Sequence, residues 1–424
     1  MAQYTTPAQL SGLFKEAYGD EVMDLVPEVA KIIKLVPFVQ RDKETGNLYH
    51  QPVIVAQEQG VTYASPSSGA FALNDSVAMT MQDAQIQGSQ MLLRSALSYD
   101  AAARASNSKK AFVKATELIV ENMMESLTKR LEIAVLYGAA GLGKSSSIAQ
   151  YSGNSNPTTE SLVTLSAASW AVGIWSGMEG AKVNFYNGSS LVSSGADAIF
   201  TILQVDSDNR QLVVSGTVTG SAAIVALTAT PLDLFFQGAY GAEMTGIDKI
   251  ISNTGTLFNI SAAQYNLWKG NNVTVSGSLT MGKILSSVSK AVGRGLNEKV
   301  VCLVNPETWA NLSSDLAALR MYDGSYDSKK AKNGFESIQY HGQNGEIEVI
   351  SHNCVKAGEC FIFPPKKVKR IGAQEISFKT PGREDEIFLH LPNNAGFEMR
   401  LYTDQAILIE TPARCIKISG FTNA

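Results

Sequence analysis

The stretch from Leu48 to Ser106 constrains this chain more than any other part of it. Val53, Val55 and Val61 to Tyr63 predict one long strand, and Val77 to Met81 with Ala84 to Leu93 predict its return. Between them, Ala64 to Asn74 is rich in Ser, Pro and Gly and makes a loose tip. A two-stranded hairpin of that length is marginal alone in water, because one sheet face and both edges stay without partners. It must therefore lie against a neighbour. The charge content suits a covered surface: charged residues are 17% of the 424, where a soluble chain ordinarily carries about 25%, and apolar residues are 45%. Two explanations of the deficit stay open, burial by partners and a β-rich surface covered by neutral Ser, Thr and Gly.

The net charge of −4 leaves no basic excess to neutralise a run of phosphates, which argues against a dedicated DNA-gripping protein. Cys302, Cys354, Cys360 and Cys415 fit no dense disulfide framework, so buried reduced thiols are expected. No basic segment followed by an apolar one opens the chain, and the longest charge-free window, Ser161 to Met178, is broken by Ser, Gly and Ala. Neither a secretory signal nor a transmembrane helix is expected, and the protein is expected to stay in the cell that makes it.

Six segments follow along the chain. Residues 1–47 read as an arm with amphipathic helical patterns at Leu10 to Tyr18 and Val22 to Ile33. Residues 48–107 hold the hairpin. In 108–180 a stripe of Phe112, Ala115, Ile119, Met123, Leu127, Leu131 and Ala134 steps by three and four, predicting a helix from Ser108 to Tyr137. At 1.5 Å per residue such a rod is about 45 Å long, a spine more than a packing element. A second helical stretch is expected at Ala167 to Met178.

Residues 181–241 hold short strand-like runs, Val183 to Tyr186, Ile199 to Val205, Gln211 to Val218, Ala222 to Ala229 and Leu232 to Phe236, which predict an inserted small β-barrel or sandwich. Residues 242–372 alternate helix and strand: Ser278 can cap a helix carrying Ile284 and Val288, Val300 to Val304 is a buried strand, and Asn305 and Pro306 start another helix. Residues 373–424 are nearly all strand, with Phe397, Met399 and Leu401 alternating against Glu398 and Arg400. The fold class expected is α+β.

Chemical motifs are sparse. Gly138-Ala139-Ala140-Gly141-Leu142-Gly143-Lys144-Ser145 satisfies the pattern of a phosphate-cradling loop, but that loop needs a strand before it and a helix after it. Here a helical pattern precedes and the turn-forming Ser146 to Pro157 follow, so a flexible exit from the spine is the expected reading, with a nucleotide hydrolase as the rival. His352, Cys354 and Cys360 lack the fourth ligand of a zinc site and read as strand-end residues. Asp206-Ser207-Asp208-Asn209 opens like a calcium loop, but Gln211 and Thr217 stand where Gly and Glu are required, leaving a hairpin turn. Lys366, Lys367, Lys369 and Arg370 form the one dense basic run, which could touch phosphate or an acidic neighbour, or line a solvated strand edge. No catalytic, cofactor-binding or metal-ligating residue is proposed, and no enzyme activity is expected.

Three phrases add a family resemblance: Leu131 to Gly138, then Gly246-Ile247-Asp248 with Ser252 to Leu257, then Val304-Asn305-Pro306-Glu307-Thr308-Trp309. With the order of parts, they resemble the major capsid proteins of tailed bacteriophages, which share the Johnson fold. The resemblance implies that 48–107 is an extended loop lying over a neighbouring subunit. It also implies that Ser108 to Tyr137 is the spine helix of a peripheral domain, 242–372 an axial domain at the capsomer centre, and 373–424 the strands completing the peripheral sheet. The implied function is a non-enzymatic subunit forming pentamers and hexamers of an icosahedral head around double-stranded DNA. The implied location is the virion, after assembly in the host cytoplasm. A separate scaffolding protein, a portal and decoration proteins are the implied partners, with no membrane and no sequence-specific DNA binding. A bacterial nanocompartment shell of the same fold is the second reading. Some family members weld their shells through a lysine of the extended loop, but no lysine lies between Lys43 and Lys109, which excludes that chemistry here.

Overall fold

In the structure, a computed structural model that describes residues 31–40, 48–98, 109–153, 158–313, 337–343, 345–378, 389–390 and 396–422, the first described elements are one helical turn, Ile32–Leu35, and strand β1 (Phe38–Gln40). The helical patterns expected before Lys31 lie outside the described residues. The hairpin is β2 (Leu48–Ala56) and β3 (Thr80–Gln87), antiparallel from Leu48 opposite Gln87 to Ala56 opposite Thr80. Val61 to Tyr63, expected in the outgoing strand, lie in the tip instead. The return also splits: past Gly88 the chain becomes β4 (Ser89–Ser98) and pairs with a different sheet. A Cβ on Gly88 would stand 2.2 Å from the Asp404 carboxylate, so the switch between sheets occurs where no side chain is in the way.

The long helix spans Lys109–Tyr137. After it come β5 (Gly143–Gln150), β6 (Glu160–Leu165), β7 (Lys182–Asn187), β8 (Ser190–Leu191), β9 (Phe200–Asp206), β10 (Gln211–Ser215) and β11 (Asp233–Phe236). They pair in the order β11-β5-β6-β10-β9-β7-β8, and β11 also pairs with β7, closing a small barrel. Closure removes the open edges that short strands would otherwise expose. The barrel therefore takes β5 and β6 from upstream of the 181–241 segment. Inside that segment, the strands expected over Gln211 to Val218 and Ala222 to Ala229 are corrected. The first ends at Ser215, and Val218–Ala226 is a helix. Thr217 caps it, accepting from Gly220 N at 3.0 Å, and Ile224 is buried in the core. The helix expected at Ala167 to Met178 is also shorter, a single turn at Val172–Trp175. Gly173 there lies so close to Asn353 that a Cβ would sit 2.7 Å from its carbonyl carbon.

The rest includes the helix Ile247–Ser252, β12 (Thr256–Leu257), β13 (Ile260–Ser261), β14 (Asn271–Thr274), the helix Met281–Val292, β15 (Val300–Val304), the helix Pro306–Ser313, β16 (Ser337–Gly342), β17 (Gly345–Ser351), β18 (Glu359–Phe363), β19 (Val368–Ser377), β20 (Leu389–His390), β21 (Gly396–Ile409) and β22 (Ile416–Ser419). Asn305 caps its helix, accepting from Glu307 N at 3.1 Å, whereas Ser278 does not cap. Its carbonyl instead accepts from Lys283 Nζ at 2.6 Å. A six-stranded sheet, β14-β22-β18-β15-β17-β16, carries Ile284, Val288 and Ala291 of the Met281–Val292 helix in its own core. The other large sheet runs β1-β19-β21-β20 with β4 on β21, and its Met399 and Leu401 pack against Met123 and Leu127 of the long helix. A larger core joins the end of that helix to the barrel through Leu131, Val135, Leu165, Phe185 and Phe200.

Candidate assembly surfaces

The hairpin is seated at its base and bare beyond it. Ala84 packs with Ile260, Ala262 and Trp268, and Ile86 with Ile371, Ala406 and Leu408. In the tip, Gln59 N donates to Val77 O at 3.0 Å, and the Asn74 amide group donates to Val61 O at 3.0 Å. Its large side chains still face water: Tyr63 is 91% exposed and Leu73 79%, with Val61, Phe71, Val77 and Met79 near half. Burying such a side chain is worth roughly 1.5–3 kcal/mol, so this one element carries a large unspent driving force for association.

The start of the described chain is held at both ends by charge. Glu132 interrupts the apolar run Leu131 to Leu136 and is fully buried. Its carboxylate accepts from the backbone N–H groups of Lys31 (2.9 Å), Ile32 and Ile33 (3.0 Å), donors that the first turn of any helix leaves unpaired. His352 Nε2 donates to the same carboxylate at 2.8 Å, while its Nδ1 accepts from Cys354 N at 3.1 Å, which sets the tautomer. At the other end of the turn the buried Arg370 donates from Nε to Val36 O at 3.1 Å and from Nη2 to Ile33 O at 3.3 Å.

A second buried joint lies where the long helix ends. Gly246 N donates to Gly138 O at 2.9 Å, bringing together two of the three phrases that carried the family resemblance. Lys356 donates from its backbone to Tyr137 Oη and from Nζ to Gly141 O, both at 2.9 Å. Lys417 reaches Asp248, and Glu359 at 2.9 Å. Burial lowers the Lys356 pKa and raises that of Asp248. Burial opposes ionisation of Glu359 as well, but Lys356 and Lys417 outweigh it and hold that carboxyl below its ordinary value.

The motifs resolve as follows. Lys144 and Ser145 open strand β5, and the N–H groups that would cradle phosphate are engaged: Leu142 N with Leu234 O, Lys144 N with Ser169 Oγ, Ser145 N with Leu232 O. Cys302 and Cys360 bring their sulfurs to 3.3 Å, whereas His352 is turned to Glu132. Asp206 accepts from Asp208 N and Asn209 N as a hairpin turn does. The basic run divides: Lys367 and Lys369 pair with Glu410, and Arg370 turns inward to the first turn. Glu398 departs from the expected alternation, being only 2% exposed and paired with Arg94 and Arg400. Sequence reading did not single out Glu132, Arg370's inward role or Glu398; a lone acid inside the apolar Leu131 to Leu136 run was the available signal for the first.

A cavity of about 830 Å³ lies between β4, the long helix and the end of the barrel, with Arg130 stacked 3.4 Å over the Phe236 ring. Burial lowers the Arg130 pKa to about 10 and raises that of Glu243, on the same wall, to about 7. Because the folded state holds the Glu243 proton more tightly than the unfolded chain, this group's stabilisation is full below about pH 4.5 and is lost as pH rises to about 7. Glu243→Gln should flatten stability across that window, where the wild type loses at most roughly 1.4 kcal/mol per pH unit from this residue. Urea unfolding of both proteins at several pH values measures the difference; identical profiles would rule the effect out.

No family model matches the sequence, and no curated protein does. Among solved structures, the capsid asymmetric unit of cyanophage A-1(L) aligns over 99% of this chain and 100% of its own, at 11% identity and a TM-score of 0.58. The chain has the fold of a phage capsid protein. The capsid of cyanophage P-SCSP1u aligns over 97% of this chain and 94% of its own (9% identity, TM-score 0.48), and the capsid of a native GTA particle over 100% of both (7%, 0.49). In this capsid fold the bare hairpin, the clamped first turn and the closed barrel all belong to one continuous chain.

Proposed function

We propose that this protein is the shell subunit of an icosahedral phage head, assembling as pentamers and hexamers around double-stranded DNA. One observation carries the reading: 99% of the chain aligns with a chain of the cyanophage A-1(L) capsid asymmetric unit, at a TM-score of 0.58. The bare hairpin supports it, since residues 57–79 hold large apolar side chains that only another molecule would cover. On this reading the β2–β3 hairpin within 48–107 is the extended loop on a neighbouring subunit, the long helix is the spine of a peripheral domain whose sheet is β4 with β1 and β19 to β21, and the six-stranded sheet, which takes β22 from 373–424, is the axial domain. The barrel is the inserted module, and 1–47 an arm anchored at Ile32–Leu35. A scaffolding protein, a portal and decoration proteins are the proposed partners, and the virion, assembled in the host cytoplasm, is the proposed location. No catalytic or cofactor role is assigned to any residue.

Sedimentation and negative-stain microscopy of the purified chain, alone and co-expressed with a candidate scaffolding protein, test this. Closed particles of uniform size are expected. A monodisperse monomer under both conditions, with residues 48–106 resistant to protease, would overturn the proposal. Protein cargo in place of nucleic acid in particles from infected cells would assign the same fold to a nanocompartment.

A further inference from the structure

Three charged side chains meet where the six-stranded sheet packs on the helix Ile247–Ser252. Lys417 of β22 stands opposite Phe361 of β18, and Glu359 lies two residues before Phe361 on the same strand face. Asp248 belongs to the first turn of the helix. Lys417 Nζ contacts Asp248 Oδ1, and Glu359 Oε1 at 2.9 Å. Water has little access: the side chains of Lys417, Asp248 and Glu359 are 12%, 9% and 18% exposed, and the centre of the fully buried Phe361 ring lies 5.7 Å from Nζ. Lys356, the other lysine of this joint, is committed to Gly141 O. Glu359 Oε2 is buried without a well-aligned hydrogen bond.

An ion pair kept out of water carries a desolvation cost that a neutral amide would not. A lysine amine held against a carboxyl group is also positioned for condensation, because neither partner has to be brought from solution. The two carboxyls are tuned apart as acid and base. Burial raises the pKa of Asp248; it opposes ionisation of Glu359 too, but Lys356 and Lys417 outweigh it there and hold that group below its ordinary value. Burial likewise opposes the charge on Lys417, but Glu359 and Asp248 outweigh it and raise its pKa. The free amine therefore arises by handing a proton across the contact to Asp248, not by losing one to water.

We propose that Lys417 and Asp248 condense, once per chain and without a cofactor, into an intramolecular isopeptide bond, with Glu359 as the proton relay. Lys417 passes one proton to Asp248, whose carboxyl becomes neutral. The Nζ lone pair then attacks Cγ, Glu359 takes a second proton from the nitrogen and gives it to the departing Asp248 hydroxyl, and the C–O bond breaks to release water. An ammonium and a carboxylate become one amide and one water, and Glu359 ends as the carboxylate it began as. The bond joins positions 169 apart, so it narrows the unfolded ensemble as a long-range disulfide does. It goes beyond the shell reading and does not rest on it, since all the groups belong to one chain.

The intact mass of the denatured full-length chain tests this before any variant is made. The expected mass is lighter than the sequence by one water, and a tryptic digest should contain a branched peptide joining the segments that hold Asp248 and Lys417. Asp248→Ala and Lys417→Arg should each restore the full mass. Glu359→Gln, with a far-UV circular dichroism spectrum matching the wild type, should slow bond formation about a hundredfold or more. A wild-type chain of full mass, both fresh and after storage at neutral pH, or a water lost from any peptide other than the branched one, would overturn the proposal and leave an ordinary buried ion pair. Condensation of Glu359→Gln at the wild-type rate would overturn the relay. The mass is read whether or not the chain assembles, so this inference and the shell reading fail separately.

Discussion

Glu132→Ala should destabilise the protein by about 3–5 kcal/mol, taking hydrogen bonds to a charged group at roughly 1.5–3 kcal/mol each and allowing for their non-additivity. The carboxylate serves three backbone donors and His352 at once, in a place water does not reach. Removing it leaves buried N–H groups unpaired and frees the Ile32–Leu35 turn from the long helix, although Arg370 still holds Val36 O. Glu132→Gln keeps one acceptor oxygen but turns an NH₂ toward a donor, so it should recover only part of the loss. Urea unfolding gives the energy, and hydrogen exchange at residues 32 to 36 gives the location. A loss below about 1 kcal/mol with unchanged protection there would mean that the turn is held by packing alone.

Gly138→Ala should be as damaging or worse, at about 3 kcal/mol or more, with much of the protein recovered insoluble. A Cβ at this position would stand 2.1 Å from Met244 O and 2.5 Å from Ala134 O, both backbone atoms that no rotamer change can move aside. Relief requires parting the end of the long helix from the Gly246 segment and breaking the Gly246 N to Gly138 O bond. Gly282→Ala provides the opposite case. Nothing lies within 4 Å of its would-be Cβ, and it sits within the helix Met281–Val292, so alanine should stabilise by up to about 1 kcal/mol. Thermal unfolding of the two variants reads both signs; equal shifts would show that helix propensity, not the close backbone approach, governs Gly138.

Much of this architecture could be read from order along the chain. The stripe from Ile119 to Ala134 predicted the long helix because its period is local, alternation predicted the buried Met399 and Leu401 for the same reason, and the β-branched runs predicted a hairpin, though not where its strands end. The helix Val218–Ala226 was hidden inside a β-rich segment, since Val218, Ile224 and Val225 favour strand locally and only the closed barrel, which buries Ile224, decides otherwise.

By itself the sequence determined the local periods, the hairpin too long to be self-sufficient, and the absence of the flanking elements a phosphate loop requires. Only the tertiary structure decided that β3 and β4 part at Gly88 to join different sheets, that Glu132 meets residues a hundred positions upstream, and that Glu398 lies between Arg94 and Arg400. The physical reason is common to all three. A side chain's own neighbours set its backbone period, but burial and charge pairing depend on strands and turns brought together from distant parts of the chain, which no local pattern records.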